Sequence, residues 1–207
     1  MANKNDYFLD ADDRNILLNE VDESSISNAI QSIFTLVQKD KKSPINIVIN
    51  TYGGSIYDML ALYDTIKYVQ SLGAQINTIG LGKIMSAGVV ILVSGNTRKI
   101  GQNSTIMWHW GSDSIEGDMF DLKNEIKELA RLDNLCNNIL VQETNMSQKD
   151  IESLLSPRVD IYITPDEAMK YGMVDGLLET VSTRSQNKKI ANDNKRMPTK
   201  RTKTVKK

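Results

Sequence analysis

Two apolar spacings alternate along the chain. In "NILLN" (15–19) and "INIVIN" (45–50), short runs rich in branched side chains read as strands. Between them Ile26, Ala29, Ile30, Ile33, Phe34 and Val37 recur at helical intervals behind capping candidates in "DESS". A second helical stripe, Met59, Leu60, Tyr63, Ile66 and Val69, runs to a stop near Gly73. "QINTIG" (75–80) predicts another strand, the apolar run at 80–95 a buried helix, and "STIMWHW" (104–110) a return to strand. Strands alternating with helices require crossover connections, so a mainly parallel α/β sheet built of βαβ units is expected from about residue 14 to 180.

Beyond these units the pattern predicts a long amphipathic helix over 117–143, with Phe120, Ile126, Leu129, Leu132, Leu135, Ile139 and Leu140 on its apolar stripe. At ~1.5 Å per residue it would span about 40 Å, more than a compact domain of this size covers, so it is expected to project. "TPDEAMKYG" then carries a capping box from Thr164 to Glu167, proline at the first helical position and Gly172 as the stop. The expected organisation is a short segment at 1–13, one domain at 14–182, and a tail at 183–207.

Charge changes the picture only at that tail. The 207 residues carry a formal net charge of −1, but residues 183–207 hold ten Lys or Arg against Asp193 alone. With so few large apolar residues the tail is expected to be disordered, and its basic character suits either solubility or a polyanion. No apolar run reaches the ~18 to 20 residues of a membrane helix, and the first fifteen residues lack a secretory signal pattern. A cytoplasmic location and no membrane partner are therefore expected. The single cysteine, Cys136, cannot form an internal disulfide. A single histidine leaves no Cys/His cluster for zinc, so no metal is expected.

Three features carry candidate chemistry. "NTYGGS" (50–55) follows a buried strand and opens a helix, and its paired glycines let backbone amides approach an anion or oxyanion. "GLGKIMSAG" places Ser86 at a strand-to-helix turn, where its hydroxyl would be exposed beside the amide of Ala87. The only histidine, His109, ends the following strand. A serine in such a run is commonly packing filler, and a lone histidine is commonly structural. Two consecutive strand ends delivering a hydroxyl and an imidazole to one edge of a parallel sheet favour a nucleophile and its base. The base would need a carboxylate, and Asp113, Asp118 and Asp160 all remain open on spacing alone. Lys83 offers an alternative base in a Ser–Lys arrangement.

Four blocks, "INIVINTYGGSIYDMLALYDTI", "INTIGLGKIMSAGVVILVSG", "NSTIMWHW" and "DIYITPDEAMKYGMVDGLLE", resemble the proteolytic subunit of the Clp protease (ClpP) family in order and spacing across residues 14–180. The resemblance implies a ClpP/crotonase-like fold of stacked βαβ units with a projecting handle helix. It implies a serine endopeptidase acting on unfolded polypeptides, with Ser86 as nucleophile, His109 as general base and Asp160 as orienting acid. The amides of Gly54 and Ala87 would form the oxyanion hole, and no cofactor is implied. It also implies a homo-oligomer of stacked heptameric rings joined through the helix at 117–143, and an AAA+ unfoldase as partner. The chain departs from the family at Tyr52, usually proline, at Ile84 and Met85, usually small, and at Trp110-Gly111, usually Gln-Pro. Two alternatives accompany this reading: a phage prohead protease acting on capsid proteins, and a catalytically silent ring-forming module.

Overall fold

The computed structural model describes residues 14–112 and 116–179. Asp113 and the tail at 183–207 lie outside the described residues, as does the segment before Arg14. Residues up to Leu177 form one compact unit, and Leu178 onward a second, of which only Leu178 and Glu179 are described.

The predicted alternation is present. Strand β1 (Asn15–Leu18) leads into helix α1 (Glu23–Lys39), β2 (Ile45–Thr51), α2 (Ile56–Ser71) and β3 (Ile76–Met85). Asp22 caps α1 by accepting from the Ser25 amide, as the "DESS" pattern implies, and Ser55 caps α2 through the Asp58 amide. Then come α3 (Ala87–Val93), β4 (Thr97–Ile100), β5 (Thr105–Trp108), α4 (Met119–Glu143), α5 (Gln148–Leu155), β6 (Ile161–Ile163), α6 (Pro165–Lys170) and β7 (Gly176–Leu177). The Thr164–Glu167 capping box forms with Pro165 at the helix start.

All strand pairs are parallel except β5–β6. The sheet order is β1-β2-β3-β4-β7, and β3 forks. Its first half, Asn77 to Gly80, pairs with β4, whereas Lys83 to Met85 pairs with β5. The strand therefore runs on through the glycines into the stretch where a helix was expected to begin. An apolar run of this length is compatible with either state on periodicity alone, and here ladder hydrogen bonds on both edges decide it. The helix that remains, α3, is seven residues long and buried at every position, as a helix apolar all round must be.

Register is marked by side chains as well as by the ladder. Asn15, Asn46 and Asn77 stand opposite one another in β1, β2 and β3. Asn77 donates to Asn46 Oδ1 at 3.1 Å, and Asn46 donates to Asn15 Oδ1 at 2.9 Å. A one-residue slip would break this row and move the isoleucines of β2 to the face that Asn46 and Val48 now occupy.

Arg14 staples the start of the sheet to the end of α1. Arg14 is 5% exposed, and its guanidinium donates to the carbonyls of Pro44, Leu36, Asp40 and Ser43 at 3.1, 3.3, 2.7 and 2.8 Å. Leu36, whose carbonyl also accepts from the Asp40 amide, and the C-cap Asp40 lie at the C-terminal end of α1, where a cation is favoured. Arg14→Met keeps the aliphatic stem but removes the guanidinium from the Pro44, Asp40 and Ser43 carbonyls, while Leu36 keeps the Asp40 amide. It is expected to cost about 3 kcal/mol, a fall in Tm of roughly 6–12 °C. A melting temperature within a degree of wild type would refute the staple.

Helix α4 divides in two. Every residue from Met119 to Lys127 is exposed, whereas Leu132, Cys136, Ile139 and Leu140 enter the core. The predicted helix is thus present, and its N-terminal half projects. Asp118 caps it through a reciprocal box with Asp121, which assigns that acid a structural role. The packed half is tied to α2 by Tyr63, donating to Glu143 at 2.7 Å, and by Lys67 on the same carboxylate at 2.8 Å. Cys136 is buried and its thiol is pushed up to about 11, chiefly by desolvation, so it is a packing residue and not a nucleophile.

Candidate active site

Ser86 occupies the single residue between β3 and α3. Its φ and ψ of 51° and −123° put a residue bearing Cβ in a region that L side chains rarely adopt. Such a conformation costs on the order of 1–3 kcal/mol and persists only where surrounding bonds enforce it. Here the Ser86 amide donates to the Met107 carbonyl at 2.8 Å, and the Val89 amide donates to the Ser86 carbonyl at 2.9 Å. The turn swings the side chain off the strand, and Ser86 Oγ lies 2.8 Å from His109 Nε2. That is hydrogen-bond distance between a hydroxyl and the base that would take its proton.

His109 follows β5 directly and is half-buried. Its flanks are fastened on three sides. Trp108 Nε1 donates to Asn137 Oδ1 at 3.3 Å, Trp110 Nε1 to the Leu155 carbonyl at 3.0 Å, and the Gly111 amide to Asp133 Oδ1 at 2.8 Å. Asn137 and Asp133 lie one turn apart on α4, and Leu155 ends α5. Nothing local in the sequence singles out these anchors, because they join segments more than twenty residues apart.

Asp160 precedes β6, which runs antiparallel to β5 with Trp108 opposite Ile161. Continuing that register by one residue places Asp160 opposite His109, where Cβ atoms stand about 4.5–5.5 Å apart. Asp160 is exposed, and no hydrogen bond joins it to His109. The structure therefore brings Ser86 and His109 into contact and leaves Asp160 exposed, one residue past the last β5–β6 pair, without a bond to the imidazole.

The glycine pair after β2 lies against this centre. Gly53 packs so closely that an added Cβ would sit 2.7 Å from Ser86 Cβ and 3.2 Å from the Ala87 nitrogen. The next residue, Gly54, has φ +149° and bridges to Val21, whose carbonyl accepts from the Ser55 amide at 2.8 Å. Among the described residues neither the Gly54 nor the Ala87 amide donates a backbone hydrogen bond in a turn or cap. Lys83, the alternative base, holds its ammonium 3.9 Å from the centre of the Tyr52 ring. The Ser86 hydroxyl is bonded to the imidazole instead.

A serine on a strained strand-to-helix turn after β3, hydrogen-bonded to a histidine at the end of the neighbouring β5, with β4 intervening in the chain, defines the chain as a serine-type peptidase once its relatives are set beside it. Residues 4–181 match the Clp protease family. The chain is 33% identical over 170 residues to the "ATP-dependent Clp protease proteolytic subunit" of Deinococcus radiodurans, covering 81% of each chain. It is 30% identical over 163 residues to the "ATP-dependent Clp protease proteolytic subunit 2" of Frankia casuarinae, covering 78% of this chain and 73% of that one. The chain belongs to the Clp protease family, and its α/β fold with a mainly parallel sheet is that family's. No helix among the described residues is long and apolar enough to cross a membrane.

Proposed function

We propose that the chain is a self-compartmentalised serine endopeptidase in which Ser86 attacks the scissile carbonyl of an unfolded polypeptide. The observation that carries this reading is the 2.8 Å contact between Ser86 Oγ and His109 Nε2. His109 Nε2 takes the hydroxyl proton as the Oγ–C bond forms, and the Gly54 and Ala87 amides receive the carbonyl oxygen as it becomes an oxyanion. On collapse the C–N bond breaks and the imidazolium returns the proton to the departing amine. Water then attacks the acyl-enzyme with His109 again as base, freeing the new carboxylate and restoring Ser86. Asp160 fixes the imidazole's tautomer and steadies its charge once the side chain turns to Nδ1.

Assembly belongs to the same reading. Met119, Phe120 and Ile126 are 61%, 69% and 60% exposed on the projecting half of α4. Apolar side chains so placed on one helix favour cover by another copy, consistent with stacked rings of seven. The relatives' names describe them as ATP-dependent, which supports an AAA+ unfoldase as partner. The open contact at Asp160 favours a second reading: a catalytically silent ring-forming module in which the acid does not engage the imidazole.

A fluorophosphonate probe with mass spectrometry tests the proposal on wild type and His109→Ala. An adduct on Ser86 that is lost in the variant is expected. An adduct persisting in the variant would move the base to Lys83. No adduct on a protein sedimenting as a large ring would defeat the peptidase reading in favour of the silent module.

A further inference from the structure

Beside the candidate site lies a strip of sheet with one open face. Along β3, β5 and β6 the pleat sends Ile84, Ile106, Trp108 and Ile163 into the core, all no more than 8% exposed. The alternate residues Lys83, Met85, Thr105 and Met107 are half-buried on the other face, and Tyr162 is exposed there. Register aligns Met85, Met107 and Tyr162 in one row across the three strands, with Lys83 and Thr105 in the next. His109, two residues beyond Met107, continues the same face, so the strip leads from the Ser86–His109 pair to Lys83.

Lys83 is held in an unusual way. Among the described residues no carboxylate lies within ion-pair distance of its ammonium. Its contact is the face of Tyr52, at 3.9 Å, and Tyr52 immediately precedes the Gly53 that packs on Ser86. A cation resting on an aromatic face keeps its N–H donors available to a further acceptor. The ring also restrains the long side chain, lowering the entropy lost when that acceptor arrives. At about 3.3 Å per residue Lys83 stands roughly 10 Å from Ser86 along β3, the reach of about three residues of extended polypeptide.

We propose that Lys83, seated on Tyr52, is a substrate subsite that takes a carboxylate of the polypeptide two or three residues from the scissile bond. This rests on the serine-peptidase reading and adds a charge preference to it. The carboxylate can come from an Asp or Glu side chain or from the chain's C-terminus, and both would meet the ammonium with the same chemistry.

The test uses quenched fluorogenic peptides with one Glu or Gln walked through three positions on each side of the cleaved bond, each made as the free acid and the amide. The readout is the ratio of kcat/KM for Glu over Gln within one enzyme, so general changes in activity cancel. At one position wild type is expected to favour Glu by about threefold, less as salt rises. The ratio should fall to about one in Lys83→Gln and invert in Lys83→Glu. Tyr52→Ser, which removes the ring beneath the ammonium, should lower it toward one. Preference following the free acid and not the Glu position would identify the terminal carboxylate as the source. A wild-type ratio near one in every peptide, or one unchanged in Lys83→Gln, would overturn the subsite while leaving the peptidase intact. Absence of any cleavage, with no probe adduct on Ser86, would overturn both.

Discussion

Alanine at His109 is expected to lower kcat/KM for a cleavable peptide on the order of 10⁴- to 10⁶-fold, with Ser86→Ala falling in the same range. The reason lies in the 2.8 Å contact: a hydroxyl is a weak nucleophile until an acceptor stands ready for its proton. Because the two groups act as one unit, the double variant should lose little more than either single one. Asp160→Asn should cost less than His109→Ala, since its carboxylate is exposed and makes no bond to the imidazole. Steady-state hydrolysis of one peptide by wild type and the four variants checks all of this. A His109→Ala enzyme retaining most of its activity would reassign the base. Near-additive single losses would mean that Ser86 and His109 act separately. Neither outcome depends on stability, because the His109 flanks are fastened by Asn137, Asp133 and Leu155 through groups that the substitution leaves in place.

How much of this was legible beforehand varies residue by residue. The stripes of α1 and α2, the box at Thr164 and the projecting helix were readable because their signals lie within a few residues: spacing, caps and length. Ser86 and His109 were readable as strand-end residues of a parallel sheet, and the family resemblance joined them. The fork in β3 was not. Gly80 and Gly82 look like turn residues in a one-dimensional pattern, yet hydrogen bonds to β2, β4 and β5 carry the strand past them to Met85. Strand β4, "TRKI", is short and mostly polar, and its strand state comes from its neighbours β3 and β7. Helix α5 could have been found, since Ser147 and Asp150 form a capping box three residues apart. Among the acids, Asp118 proves to be a helix cap and Asp113 lies outside the described residues. Asp160 is one residue beyond the last β5–β6 pair, Trp108 opposite Ile161, a pairing over more than fifty residues of sequence that spacing cannot show.

Gly54→Ala is expected to damage both fold and catalysis, and the two effects have one origin. An ideal Cβ at Gly54 would overlap the Val21 carbonyl oxygen and lie 2.9 Å from its carbonyl carbon, in a backbone conformation of φ +149°. Backbone atoms cannot swing aside as a side-chain tip does, so the turn must move off Val21. That motion breaks the bridge between Val21 and Gly54 and the Ser55 amide's bond to Val21. It also carries away the Gly54 amide, the proposed oxyanion donor, along with Gly53, which packs on Ser86. Loss of one oxyanion donor costs about 10²- to 10³-fold in kcat, and a shift of about 1 Å alone can cost 10²-fold. Gly73→Ala supplies the control, because Gly73 also has positive φ, +89°, but nothing lies within 4 Å of an added Cβ. That variant should lose only about 1 kcal/mol of stability from backbone strain, with kcat unchanged. Urea midpoints and single-turnover acylation rates measured on both variants separate strain from clash. If Gly54→Ala matched Gly73→Ala in both, the Val21 bridge would not be what places the amide. If it lost stability yet acylated at the wild-type rate, the second oxyanion donor would have to be sought elsewhere than Gly54.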